Sequence, residues 1–98
     1  MNALDFLIDG CWRRPARARS IPIINPASEQ EIGVVSLGSA EDVDMAVEAA
    51  RRAFAVWSQS EREERLFILG RIVEGFRARL PELARLMTME MGVPITFS

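Results

Sequence analysis

The apolar residues of this 98-residue chain change their spacing near residue 38, and this change constrains the fold more than any other feature. Before it, short apolar runs alternate with turn residues, which is typical of strands. After it, apolar residues recur at intervals of three and four, which is typical of amphipathic helices. We therefore predict strands and turns over residues 1–38, and helices with an apolar tail over residues 39–98.

The first segment predicts a β-hairpin followed by two further strands. Residues 5–8 lead into Asp9-Gly10, a dipeptide typical of two-residue hairpin turns, and residues 11–13 return. The later strands are predicted over residues 21–24, where Pro22 allows only an edge strand or an irregular strand, and over residues 31–37. A turn over residues 25–28 separates them, since Asn before Pro is disfavoured in a helix.

Three amphipathic helices are predicted after residue 38. Ser39 with Asp42, and Ser60 with Glu63, have the spacing of capping boxes that open the first two helices. Pro81 suits the first turn of a third helix, which is predicted to end at Gly92. The apolar stripes are Val43, Val47, Ala50, Phe54 and Trp57, then Leu66, Leu69, Ile72, Val73, Phe76 and Leu80, then Leu83, Leu86 and Met87.

Composition excludes several classes of function. No apolar run reaches the length of a membrane span, and the first residues lack the basic start of a secretory signal. The lone Cys11 suits a reducing compartment, so we expect a cytoplasmic protein. Arg13, Arg14, Arg17 and Arg19 cluster, but no groove-reading motif accompanies them. We interpret them as a solvated connector and expect neither a nucleic acid nor a membrane partner.

The chain also lacks the residues that most enzymes use for chemistry. His and Tyr are absent, which removes the commonest general base and metal ligand. Its six glycines have no phosphate-loop spacing. Cys11 has no His to activate it, so we interpret it as structural filler. We predict no catalytic and no cofactor-binding residue among the 98.

Glu90 breaks a local rule, because it falls in the last turn of the third helix, where a negative charge opposes the helix dipole. One interpretation is an ordinary solvated carboxylate, and spacing alone favours it. The other interpretation is a cationic partner, either an Arg side chain or a bound metal ion.

The order of these features resembles the N-terminus of the NAD(P)-dependent aldehyde dehydrogenase superfamily. The matching segments are residues 6–10 with Trp12, residues 24–27, residues 39–44 with 46–47, residues 49–54 with Trp57, and residues 89–94. Each segment alone is ordinary turn or cap chemistry. Five of them in this order cover nearly the whole chain.

The resemblance implies that the chain is α+β as it stands, with an N-terminal β-hairpin and strands followed by three amphipathic helices. It would be an incomplete part of an α/β fold, residues 1–98 being the N-terminal portion of a Rossmann-like cofactor domain completed by later sequence. The family's catalytic Cys, general-base Glu and cofactor turn would lie beyond Ser98, and Cys11 matches none of them. We therefore expect a truncated fragment that is inactive alone and binds no cofactor. Its parent would be a homo-oligomer oxidising an aldehyde to a carboxylic acid with NAD or NADP.

The resemblance also implies a monovalent cation site. Some members hold such an ion with backbone oxygens just before the Asn-Pro turn and an acid just before Gly-x-Pro. By position these residues are Ile23, Ile24 and Glu90. Val93 departs from the pattern, because Lys is common there, and this leaves the substrate subfamily open.

A second hypothesis from a different class is a free-standing helical interaction module whose apolar stripes bury a partner or a second copy. Phe67 and Ile68 spread apolar surface beyond one face of the second helix. A self-sufficient domain usually has a cleaner polar side, so the pattern favours the incomplete enzyme.

Overall fold

The computed structural model describes all 98 residues, from Met1 to Ser98. The elements are β1 (Asn2–Ala3), β2 (Phe6–Ile8), β3 (Cys11–Arg13), β4 (Ser20–Asn25), β5 (Gln30–Ser36), α1 (Ala40–Trp57), α2 (Arg62–Ala78), α3 (Leu80–Met91) and a 3₁₀ turn (Ile95–Phe97). The α+β class with strands before three helices is therefore confirmed. None of the helices is both long and apolar enough to cross a bilayer.

The chain divides into two compact units. The first comprises Met1–Ile24 and Gln30–Ser58, and therefore holds nearly all of the strands and α1. The second comprises Asn25–Glu29 and Gln59–Ser98, which hold the Asn-Pro turn, α2, α3 and the 3₁₀ turn.

The predicted hairpin of the first unit is confirmed. β2 and β3 pair antiparallel, with Leu7 opposite Trp12 and Ile8 opposite Cys11. The two turn residues, Asp9 and Gly10, have φ angles of 55° and 73°. Positive φ at both central positions is what a type I′ turn requires, and Asp and Gly tolerate it.

The other strands of the first unit form a three-stranded sheet with β5 in the middle, between β1 and β4. β1 runs parallel to β5 with Asn2 opposite Val34, and this strand was not predicted from the sequence. The approach is so close at Gly33 that an added Cβ would overlap the carbonyl oxygen of Met1. Gly33 therefore allows β1 to add to the sheet edge.

Helix α1 begins with the predicted capping box and packs on β2. Ile8 and Ala49 are the buried apolar residues, at 8% and 7% exposure. Arg52 extends the contact, because its guanidinium lies 3.3 Å from the carboxylate of Asp9. The apolar stripe that identified the helix is left exposed at all five positions, which are Val43, Val47, Ala50, Phe54 and Trp57.

In the second unit, the predicted capping box at Ser60 is wrong. Helix α2 has Glu61 as its N-cap, and no side chain caps it. The Ser60 hydroxyl instead accepts a hydrogen bond from Nε of Arg65 at 2.9 Å. Ser60 lies one residue too early in the chain to cap this helix, and an Arg within reach competes for its oxygen.

Helix α3 agrees with its prediction at both ends. Pro81 lies in the first turn, where its missing N–H costs nothing. Gly92 ends the helix in the left-handed conformation, with φ of 74°, and its N–H donates to the carbonyl of Thr88 at 3.0 Å.

Candidate functional site

The turn from β5 into α1 is where a strand leads into a long helix, a geometry that binds phosphate groups in dinucleotide enzymes. Here the carboxylate of Asp42 occupies the helix N-terminus. Its Oδ2 accepts the backbone N–H of Ser39 at 2.8 Å and the Ser39 hydroxyl at 3.0 Å. Its Oδ1 accepts the backbone N–H of Ala16 at 2.9 Å, which ties the Arg-rich loop to the helix.

The electrostatics of this turn do not suit a cofactor phosphate. The backbone N–H of Ser39, and then that of Ala16, lower the pKa of Asp42 below its ordinary value of 3.8, so the carboxylate is ionised at neutral pH. A fixed negative charge at the helix N-terminus repels another anion. The turn therefore does not fit the pyrophosphate of NAD or NADP.

The residues of the predicted cation site lie in different elements. Ile23 and Ile24 belong to β4 in the first unit, and Glu90 lies in the last turn of α3 in the second. The Glu90 carboxylate is exposed and has no ion pair within the chain. No three His, Cys, Asp or Glu side chains come together to bind a metal. The cation site therefore stays a prediction.

Within the second unit, two segments that carried the family resemblance meet. The Asn25 side chain accepts the N–H of Ala27 at 2.9 Å and fixes the turn that contains Pro26. An added Cβ at Gly92 would lie 2.9 Å from Cγ of Pro26. Sequence reasoning identified Gly92 only as a helix cap. It missed this contact because the two residues are far apart in the chain and neither carries a polar signal.

Elsewhere the described side chains offer no catalytic arrangement. Arg14 lies 3.0 Å from Asp5 and Arg17 lies 4.0 Å from Glu41, so part of the Arg cluster is paired within its own unit. Cys11 is exposed and forms no disulfide. The second unit has an open groove of about 560 Å³, lined by Ile72, Gly75, Phe76, Ala78, Arg79 and Leu83. Its one charged group, Arg79, lies 3.7 Å from Glu82.

Comparison with known proteins gives a consistent result. Residues 12–98 match the sequence model of the aldehyde dehydrogenase family. A 3-succinoylsemialdehyde-pyridine dehydrogenase from Pseudomonas sp. is 47% identical over 91 residues, which are 93% of this chain. The crystal structure of an aldehyde dehydrogenase from Bartonella henselae superposes with a TM-score of 0.95 at 36% identity, over 98% of this chain.

A further solved relative carries ligands. Aldehyde dehydrogenase C from Pseudomonas syringae, crystallised with NAD+ and octanal, superposes with a TM-score of 0.92 at 47% identity over 95% of this chain. In each of these comparisons the chain spans only about a fifth of the relative, between 19% and 20% of its length.

Proposed function

The chain belongs to the aldehyde dehydrogenase family over residues 12–98, and from this premise we propose that it forms the N-terminal portion of the cofactor domain of an aldehyde-oxidising enzyme. The parent would convert an aldehyde to a carboxylic acid with NAD(P)+. This segment would contribute scaffold only, because its side chains form no catalytic or phosphate-binding group. On its own the chain is then inactive.

The observation that carries this proposal is the surface that the chain leaves uncovered. It exposes 8094 Å², whereas a globular monomer of 11.0 kDa exposes about 5,600 Å². Two separate domains of half its mass would together expose only about 6,800 Å². The excess area indicates elements that lack their packing partner.

Much of that area is apolar and lies on helices. The stripe of α1 is exposed, and so is the side of α2 that carries Leu69, Ile72 and Phe76. Apolar helix faces of this size are covered in stable folded proteins. We propose that a Rossmann-like sheet supplied by further sequence covers them in the parent.

The relatives suggest a cofactor and leave the substrate class broad. The Pseudomonas syringae enzyme was solved with NAD+, which supports NAD(P)+ as the cofactor of the parent. Its octanal and the succinoylsemialdehyde-pyridine of the Pseudomonas sp. enzyme are chemically different aldehydes. We therefore propose an aldehyde substrate without a narrower class.

A chimera tests the proposal. The matched N-terminal segment of the Pseudomonas sp. relative would be replaced by this chain, and aldehyde-dependent NADH formation would be followed at 340 nm. We expect the chimera to be active, while the relative without its N-terminal segment and the isolated 98-residue chain are not. An inactive chimera, or turnover by the isolated chain, would contradict the proposal. An inactive chimera together with a cooperatively folded, monomeric isolated chain would support the interaction module instead.

The remaining expectations are proposals of the same kind. The monovalent cation site of Ile23, Ile24 and Glu90 is supported by the unpaired carboxylate of Glu90 at a helix C-terminus. In the chimera, Glu90→Gln should reduce any gain in melting temperature that K⁺ gives over a bulky organic cation. An equal gain in the chimera and in its Glu90→Gln variant would show that Glu90 is not part of the site.

A homo-oligomeric parent and a cytoplasmic location complete the proposal. The cytoplasmic location is supported by the exposed free thiol of Cys11.

A further inference from the structure

The side of α2 that carries Gly70 has an apolar centre with charged ends, is exposed and has no partner in the chain. Residues spaced by three, four and seven positions share one side of a helix, and here they are Glu63, Leu66, Phe67, Gly70, Val73, Glu74 and Arg77. We call this set the Gly70 face. Phe67 is 68% exposed, and Leu66 and Val73 are 49% and 47% exposed. A Cβ added at Gly70 would meet no atom within 4 Å.

The two outermost charges of the Gly70 face, Glu63 and Arg77, lie at equal distances from Gly70 and have opposite signs. Glu63 lies seven residues before Gly70 and Arg77 lies seven residues after it. Neither side chain forms an ion pair within the chain. Glu74 lies three residues from both Arg71 and Arg77, so its charge is flanked by positive charges on its own helix.

We propose that the Gly70 face binds the same face of a second copy of this chain, with the two α2 helices antiparallel about a two-fold axis at Gly70. This arrangement places Glu63 of each copy beside Arg77 of the other, and Phe67 of each copy beside Val73 of the other. A self-complementary surface is what a two-fold dimer requires, since the same patch serves both partners. A parallel pair would place like charges together, so charge selects the antiparallel arrangement.

Gly70 has a specific role at the crossing point. Without a side chain there, two helix backbones approach closely, and the flanking apolar side chains pack on each side. A helix-interior Gly costs about 0.5–1 kcal/mol relative to Ala. Close packing at a two-fold crossing would offset that cost. The proposal goes beyond the function proposed above and does not depend on it.

The first test measures the association of the 98-residue chain by sedimentation equilibrium. We expect a reversible dimer that weakens as salt is added. Glu63→Arg and Arg77→Glu should each weaken dimerisation roughly tenfold, because each places two like-charge pairs across the interface. The double variant with both substitutions should restore it. A chain that stays monomeric, or a double variant no tighter than the single ones, would overturn the proposal.

A second test distinguishes the specific two-fold pairing from nonspecific association. In a Cys11→Ser background, Gly70→Cys places a thiol at the proposed crossing, and Gly75→Cys serves as the matched control. Gly75 lies on the same helix with equally open surroundings, but it lines the groove rather than the Gly70 face. Mild oxidation should give several-fold more disulfide-linked dimer for Gly70→Cys. Equal linkage of both variants would mean unspecific association and would refute the two-fold pairing.

Discussion

Asp42 is the residue whose ionisation state affects the most hydrogen bonds in the first unit. It is 6% exposed and joins the cap of α1 to the backbone of Ala16. Its position is readable in part from sequence, since Ser39 and Asp42 have capping-box spacing. The bond to Ala16 is not readable, because it joins residues 26 positions apart. The hydrogen bonds from the backbone N–H groups of Ser39 and Ala16 together explain why this carboxylate is buried while most carboxylates of the chain are exposed.

The lowered pKa of Asp42 gives a pH dependence with a definite sign. The pKa in the folded chain lies below the ordinary value of 3.8. The ionised carboxylate therefore stabilises the fold fully at neutral pH, and this contribution is lost as the pH falls below about 4 through the folded pKa. We expect Asp42→Asn to lower the urea midpoint of the far-UV circular dichroism signal at pH 7, and the difference from the natural chain to shrink by pH 3.

Asp44→Asn is the control for this prediction. Asp44 lies in the same part of α1, and its substitution by Asn removes the same charge. Its side chain forms no hydrogen bond or ion pair. Its effect on the midpoint should be small at both pH values. A difference for Asp42→Asn that is constant from pH 7 to pH 3 would show that the hydrogen bonds do not depend on the ionised form.

Substitution by Ala should lower the stability of the chain at Gly92 and raise it at Gly75. Gly92→Ala requires a left-handed Ala, which costs about 1–2 kcal/mol, and it adds a Cβ 2.9 Å from Pro26. Gly75→Ala lies in a helix interior with open surroundings and should gain about 0.5–1 kcal/mol through higher helix propensity. Urea unfolding followed at 222 nm should move the two midpoints in opposite directions. A Gly92→Ala variant as stable as the natural chain would contradict the contact with Pro26.

At the scale of elements, the two helix starts that looked alike in the sequence differ in the structure, and this difference is measurable. The Ser39 hydroxyl caps α1, whereas α2 has no side-chain cap. We expect Ser39→Ala to destabilise α1 by about 1 kcal/mol, and Ser60→Ala to cost less than half as much. Helix content by circular dichroism and amide exchange in the first turn of each helix would measure both. Equal losses in the two variants would mean that Ser60 caps α2 in solution.

The elements that the sequence predicts well are those determined by neighbouring residues. The hairpin depends on Asp9 and Gly10, and the end of α3 depends on Gly92, so both follow from turn and cap chemistry. β1 is held by pairing with a strand more than 30 residues away, and a two-residue segment has no local pattern. Helical periodicity identified α1, but it cannot say which side packs, because that depends on residues outside the helix.

For the candidate site too, some features can be predicted from neighbouring residues or composition and others cannot. The prediction that the chain has no catalytic side chain rests on composition, since no His or Tyr is present. The cation ligands at Ile23 and Ile24 would be backbone carbonyls, which every residue has, so only a family resemblance can suggest them. The contact between Pro26 and Gly92 cannot be predicted from the sequence, because a long-range contact between two apolar residues has no local sequence pattern.

At the scale of the whole molecule, exposed area predicts how the isolated chain unfolds. An unfolded chain of this mass exposes about 16,000 Å², so a folded chain that still exposes 8094 Å² buries about half of it. A self-sufficient domain of this size buries roughly 65%. Because the urea m-value scales with the area exposed on unfolding, we expect an m-value about three quarters of that for a domain of this length.

The uncovered helix faces should also bind the dye ANS in water, as loosely packed proteins with exposed apolar surface do. The low m-value and the ANS binding should both disappear in the active chimera, because the helix faces are then covered and the segment unfolds with the rest of the protein. Both measurements should be made at concentrations below those at which the chain associates, since a dimer would remove the Gly70 face from the exposed apolar area. A full m-value without ANS binding would mean that the chain packs as a complete domain. The apolar faces of α1 and α2 would then not need the rest of a dehydrogenase, and the enzyme-fragment proposal would lose its main physical support.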